Sequence, residues 1–162
     1  MRPTGKTMKK KILLVDDDPA VRESLTHVLT GEGYDVVPAA NGVEATELAG
    51  SRSVDLVLLD LNLPKRDGWD TFELLTRHNP RLPVMIITAR SNQLFPALAA
   101  GAGALMEKPL DFPKLLQTIR DLIAEPVEAR LARLTGKPGE FHYLPALPSL
   151  DKGSGVRFVR DV

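Results

Sequence analysis

In Val54-Asp55-Leu56-Val57-Leu58-Leu59-Asp60-Leu61-Asn62-Leu63-Pro64 an almost purely aliphatic run ends on the carboxylate of Asp60. A strand apolar on both faces is one covered by helices on both sides, the signature of a buried parallel strand. Ile12-Leu13-Leu14-Val15 repeats the pattern and ends on Asp16-Asp17, and Val84-Met85-Ile86-Ile87 ends on Thr88. Tyr34 to Pro38 is a weaker strand, and Ala104 to Met106 is a short one, placed at a sheet edge and followed by Glu107 and Lys108-Pro109. Polar groups therefore recur where strands end. In open parallel sheets ligands bind outside the carboxyl ends of the strands, so these residues are expected to converge.

Helical periodicity fills the intervals. Pro19 to Leu29 places Val21, Leu25, Val28 and Leu29 on one face, with Asp18 and Pro19 as N-cap and first-turn proline and Gly31 and Gly33 as stops. Further helices are predicted over 42–50, 69–77, 92–100 and 111–124, that over 92–100 with a late start, kink or break at Pro96. Five β-α repeats imply an α/β fold with a parallel sheet and right-handed crossovers. Residues 126–162 leave this pattern. They are Pro-rich, with a short helix expected over 127–134 presenting Val127, Leu131 and Leu134 on one face, and a short strand over 156–159. Phe141 to Pro148 is apolar enough to dock on its own domain, swap to another subunit or bind a partner.

The composition narrows the function. The chain of 162 residues is 43% hydrophobic and has no cysteine, which excludes disulfides and thiolate metal sites. No apolar run is long enough for a membrane span and no signal peptide is apparent, so no membrane insertion and a cytoplasmic location are expected. The net charge is zero, but residues 12–125 hold 10 Lys/Arg against 17 Asp/Glu, while residues 1–9 form a basic tail and 126–162 hold six against four. An acidic central domain suits a cation and argues against a nucleic-acid footprint.

The ordered set Asp16-Asp17, Leu-Leu-Asp60-Leu-Asn62-Leu-Pro64, Asp67-Gly68, Ile-Thr88-Ala89, Gly101-Ala102 and Lys108-Pro109 resembles the receiver domain of two-component response regulators over residues 10–125. The resemblance implies a three-layer (βα)5 flavodoxin-like fold with five parallel strands in the order 2-1-3-4-5. It implies that Asp60 is the phosphoacceptor, forming an acyl phosphate. Asp17, supported by Asp16, together with Asp60 and the backbone carbonyl of Asn62, would hold Mg²⁺ or Mn²⁺. Lys108 and Thr88 would each meet a phosphoryl oxygen. The implied partners are a sensor histidine kinase or a histidine phosphotransfer protein, and an unknown downstream protein; the resemblance also implies an output surface on the fourth helix, fifth strand and fifth helix, and a homodimer through that face is admitted.

Two functional alternatives stand beside this one. An aspartyl-phosphate hydrolase usually carries a second Asp two residues after the first, where this chain has Asn62. A phosphate-independent interaction module would not need the site residues, all of which are present.

The sequence also departs from the family pattern. Thr88 is a switch position, and its usual aromatic counterpart is Leu105 here, so signalling through Thr88 and loop rearrangement is expected without an aromatic switch. By the same resemblance Arg90 and Asn62 occupy variable positions that can tune phosphoryl lifetime, with a solvated surface residue as the alternative reading of Arg90. The 126–162 extension is too short for a winged helix and has no basic stripe, so no direct DNA binding is expected. His27, His78 and His142 lack clustered partners and are read as surface or packing residues, and Asp55 as a residue at the far end of its strand.

Overall fold

Alternation within each strand sends successive side chains to opposite faces, and the two faces carry two cores. The computed structural model describes residues 8–137 and 140–147. Its elements are β1 (Lys11–Val15), α1 (Pro19–Gly31), β2 (Asp35–Ala39), α2 (Gly42–Ser51), β3 (Leu56–Asp60), α3 (Gly68–His78), β4 (Val84–Thr88), α4 (Leu94–Ala100), β5 (Ala104–Glu107), α5 (Phe112–Ala124), α6 (Val127–Leu134) and β6 (His142–Leu144). All strand pairs are parallel, in the order β2-β1-β3-β4-β5-β6.

On one face Leu13, Val15, Val57, Leu59, Ile86 and Leu105 pack against Ala45 of α2, Phe72 and Leu75 of α3 and Ala97 of α4. On the other, Ile12, Leu14, Leu58, Met85, Ile87 and Met106 pack against Leu25 and Leu29 of α1 and Leu115, Ile119 and Leu122 of α5. Each fully buried aliphatic side chain contributes roughly 1.5–3 kcal/mol. These two cores fix the sheet, and the sheet fixes the positions of its polar ends.

Local signals set the helix boundaries. The Asp18 side chain accepts the Ala20 N–H at the start of α1, and Asp111 accepts the Lys114 N–H at the start of α5. α4 begins late, at Leu94, which puts Pro96 in the first turn, where a missing N–H costs no helical bond. Gly101 then closes α4 with a left-handed φ of 86°. Asp55 lies at the end of the sheet away from Asp60, where it accepts the Lys11 N–H.

The segment after α5 differs from expectation in two ways. First, α6 forms over the expected residues, but Leu131 is 37% exposed and Arg133 is buried. The helix docks through its arginines. Arg133 makes a fork to both Glu125 oxygens at 2.6 Å and also donates to the Glu140 carbonyl. Arg130 donates to the carbonyls of Leu122, Ile123 and Glu125 at the end of α5, and to that of Arg81. A guanidinium suits a helix C-terminus because the last carbonyls lack partners and carry negative charge. Second, β6 pairs with β5 in the register Ala104↔His142, Leu105↔Tyr143 and Met106↔Leu144, so β5 is an inner strand and not the edge. Phe141 is buried in the core beside Leu105. The strand expected over 156–159 lies outside the described residues.

Candidate acidic phosphoacceptor site

Asp16, Asp60 and Lys108 come from three different strand ends, and side-chain alternation explains why they meet. Each continues the series of its strand that faces α1 and α5: Ile12 and Leu14 before Asp16, Leu56 and Leu58 before Asp60, Ala104 and Met106 before Lys108. The Lys108 ammonium bridges the two carboxylates, 2.9 Å from Asp16 Oδ2 and 3.2 Å from Asp60 Oδ2. Asp16 and Asp60 are buried, whereas Asp17 is exposed beside them. Carboxylate oxygens of Asp16, Asp17 and Asp60 lie within 4.8 Å of one another.

Backbone donors hold the carboxylates in place. The Asp18 N–H donates to Asp16 Oδ1 at 3.0 Å, and the Asn62 N–H donates to Asp60 Oδ1 at 3.1 Å. Arg22 donates to the Asp16 carbonyl at 2.7 Å. Thr88 ends β4 one residue beyond the Asp60↔Ile87 pair, with its hydroxyl accepting the Arg90 N–H at 2.9 Å. By alternation Thr88 continues Val84 and Ile86, and so belongs to the opposite face from Lys108, the face that also holds Leu105. The Arg90 guanidinium reaches Asp67 at 3.3 Å on the exposed rim. Leu105 is fully buried beneath, two residues before Glu107 and away from the carboxylates.

Burial pushes the Asp60 carboxyl above its ordinary value of 3.8. The Asn62 N–H and the Lys108 charge oppose that effect, and the Asp16 carboxylate adds to it. Burial acts on Lys108 too and favours its neutral form, but the hydrogen bond and charge of Asp16 and those of Asp60 outweigh it, so its pKa is raised. The lysine gains from the pairing, whereas Asp60 does not recover its own desolvation. Burial of the Asp60 carboxyl, and one ammonium shared between it and Asp16, account for both directions.

Three carboxylates against one ammonium leave a surplus of two negative charges. An all-oxygen donor set with that surplus fits a hard divalent cation such as Mg²⁺, which takes few protein carboxylates and retains water. The His residues stand apart from this cluster: His27 and His78 are exposed and His142 lies in β6.

A consequence for stability follows from the raised Asp60 pKa. Between 3.8 and the folded value the native state binds more protons than the unfolded one, so stability falls as pH rises through that window. Asp60→Asn removes the desolvated charge and leaves the Lys108–Asp16 pair intact. The variant is expected to be more stable than wild type at neutral pH without divalent metal, and to lose that advantage in acid. Chemical denaturation at two pH values checks both.

The model of the response regulator receiver domain matches residues 12–120. The chain belongs to this family, the receiver domains of two-component systems. Response regulator MprA of Mycobacterium sp. (strain KMS) is 39% identical over 118 residues, covering 72% of this chain and 51% of that protein. MprA of Mycobacterium bovis (strain BCG / Pasteur 1173P2) is 36% identical over 141 residues, 81% of this chain and 61% of that protein. The chain thus spans about half to three-fifths of the length of these relatives. Among solved structures, the CheY-like receiver domain protein of Methanospirillum hungatei JF-1 superposes with a TM-score of 0.69 at 30% identity, over 72% of this chain and 94% of that one. The response regulator TrrA of Thermotoga maritima, in complex with Mg²⁺-BeF, gives 0.66 at 31% identity, over 70% and 98%. The flavodoxin-like order 2-1-3-4-5 expected from the resemblance is the order found, extended by a short sixth strand. No helix among the described residues is long and apolar enough to cross a membrane.

Proposed function

We propose that this chain is a phosphorylation-dependent switch that accepts a phosphoryl group on Asp60 from a histidine kinase or a histidine phosphotransfer protein and signals by protein–protein contact. The observation that carries the reading is the Lys108 ammonium held between Asp60 and Asp16 beside a third carboxylate. An Asp60 oxygen attacks phosphorus, the phosphorus–nitrogen bond of the donor phosphohistidine breaks, and the histidine nitrogen leaves with the bonding pair. Asp16, Asp17, Asp60 and the Asn62 carbonyl are the residues that would hold Mg²⁺. When bound, the ion supplies charge neutralisation between the attacking carboxylate and the phosphoryl group. Lys108 needs only to exchange Asp60 Oδ2 for a phosphoryl oxygen, and Thr88 offers its hydroxyl to another.

The acidic surplus of residues 12–125 favours a protein over a nucleic acid as the target of this part of the chain. The reading places the chain in the cytoplasm, beside the kinase's phosphohistidine. Intact mass after incubation with acetyl phosphate and Mg²⁺ tests the reading. One phosphoryl group is expected on the wild type, none on Asp60→Asn, and none with a chelator. Equal labelling of the variant would remove Asp60 from the role.

A further inference from the structure

The strand β6 is fastened at both ends, and the fastenings differ in kind. Below, α6 is anchored by the buried Arg133–Glu125 fork and by the Arg130 bonds to the end of α5, while Phe141 is buried in the core. Above, the strand is held by single bonds: the Ala146 N–H donates to Glu107 Oε1 at 3.3 Å, and the Leu147 N–H donates to the Pro109 carbonyl at 3.2 Å. Glu107 and Pro109 flank Lys108, the residue whose ammonium rests on Asp60. Between the two fastenings β6 has only three residues, each partly buried. So short a strand adds little stability of its own.

From this arrangement we propose that β6 is a releasable cover over the β5 edge, latched through Glu107 and Pro109 to the segment that carries Lys108, and that filling the phosphoryl position at Asp60 opens the latch. This rests on the phosphoacceptor reading above. When Lys108 leaves the Asp60 oxygen for a phosphoryl oxygen, the 107–109 segment moves with it, and both upper bonds depend on that segment. Release begins at Leu147 and stops at Phe141, because the arginine anchor of α6 makes no bond to the site. The freed surface is the outer edge of β5, a row of unpaired N–H and C=O groups of the kind that pairs with an extended segment. Tyr143, which packs on the same core as Leu105 in the adjacent strand, loses that packing on release. In this chain an aromatic ring beside the switch region is thus supplied by the cover strand.

Hydrogen exchange read by mass spectrometry on the full chain, with and without Mg²⁺ and beryllofluoride, tests the proposal. The amides of Tyr143, Leu144, Ala146 and Leu147, the four within 143–147 that carry an N–H, are expected to exchange about tenfold faster or more with the ligand, while those of α6 stay as they were and those of Asn62 and Arg90 slow as the site fills. If Asn62 and Arg90 slow but residues 143–147 exchange unchanged or more slowly, β6 is a fixed part of the sheet and the proposal fails alone. If no amide at the site responds, the phosphoacceptor reading fails and takes the proposal with it. Glu107→Ala gives a second arm without ligand. It is expected to raise exchange at 143–147 by several-fold, and unchanged exchange there would show that the latch does not hold the strand.

Discussion

Lys108→Met is expected to lower the stability of the metal-free chain by about 3 kcal/mol at neutral pH, as measured by urea unfolding. Methionine keeps most of the apolar stem, so the loss reports the missing charge. Without the ammonium, buried Asp16 and Asp60 face each other and the nearby Asp17 with backbone donors as their main remaining support. Removing one member of a buried ionic group costs far more than the group itself contributes, because the remaining charges are stranded.

The pH dependence of that loss gives it a distinctive signature. The folded pKa of Lys108 is raised above 10.5 despite its burial, so its contribution is complete below that value and is lost as pH rises through the folded value. At alkaline pH wild type and variant therefore converge. They converge again in acid, where Asp60, its carboxyl already raised by burial, takes up a proton. The stability difference should form a dome across pH and shrink when Mg²⁺ replaces the missing positive charge. A deficit independent of pH would mean that packing of the lysine stem, and not its charge, holds the site.

The parts of this site that were legible in the sequence are those where pattern and chemistry disagree. An aliphatic strand that ends abruptly on Asp60, or on Asp16-Asp17, has no packing reason to do so, and the ends that carry Asp16, Asp17, Asp60 and Lys108 do lie together. Leu105 was legible for the same reason, as an aliphatic residue where the family pattern has a ring. Arg133 was not legible. A helix read by hydrophobic periodicity puts Leu131 inward and arginines outward, and here the reverse holds because Glu125 and the open carbonyls of α5 create a polar floor that only the tertiary structure reveals. The available signal was local: Arg130 and Arg133 are three residues apart, hence on one helix face, and follow directly on the end of a helix. β6 was missed because three residues before a proline are too few to show alternation, and its pairing depends on a β5 edge that sequence alone leaves open.

Gly68→Ala is expected to cost about 3 kcal/mol and to weaken Mg²⁺ binding, although residue 68 carries no chemistry. Gly68 opens α3 and donates its N–H to the Leu61 carbonyl at 3.1 Å, which folds the β3–α3 turn back on itself. A Cβ at this position would overlap the Leu61 Cα and stand 2.6 Å from the Leu61 oxygen. Those atoms are backbone, so no rotamer change relieves the overlap, and the turn itself must move. Leu61 lies between Asp60 and Asn62, and the Asn62 N–H is the donor that steadies the Asp60 carboxylate. The same displacement that destabilises the chain therefore disturbs the site. Gly31→Ala at the end of α1 is the matched control: a Cβ there meets nothing within 4 Å, and its effect should stay within about 0.5 kcal/mol. Urea unfolding of both variants, with Mg²⁺ titrated against the fluorescence of Trp69, separates the two consequences. Wild-type stability in Gly68→Ala would show that the turn has slack, and wild-type Mg²⁺ affinity in a destabilised Gly68→Ala would show that Asp60 is positioned independently of the turn that follows it.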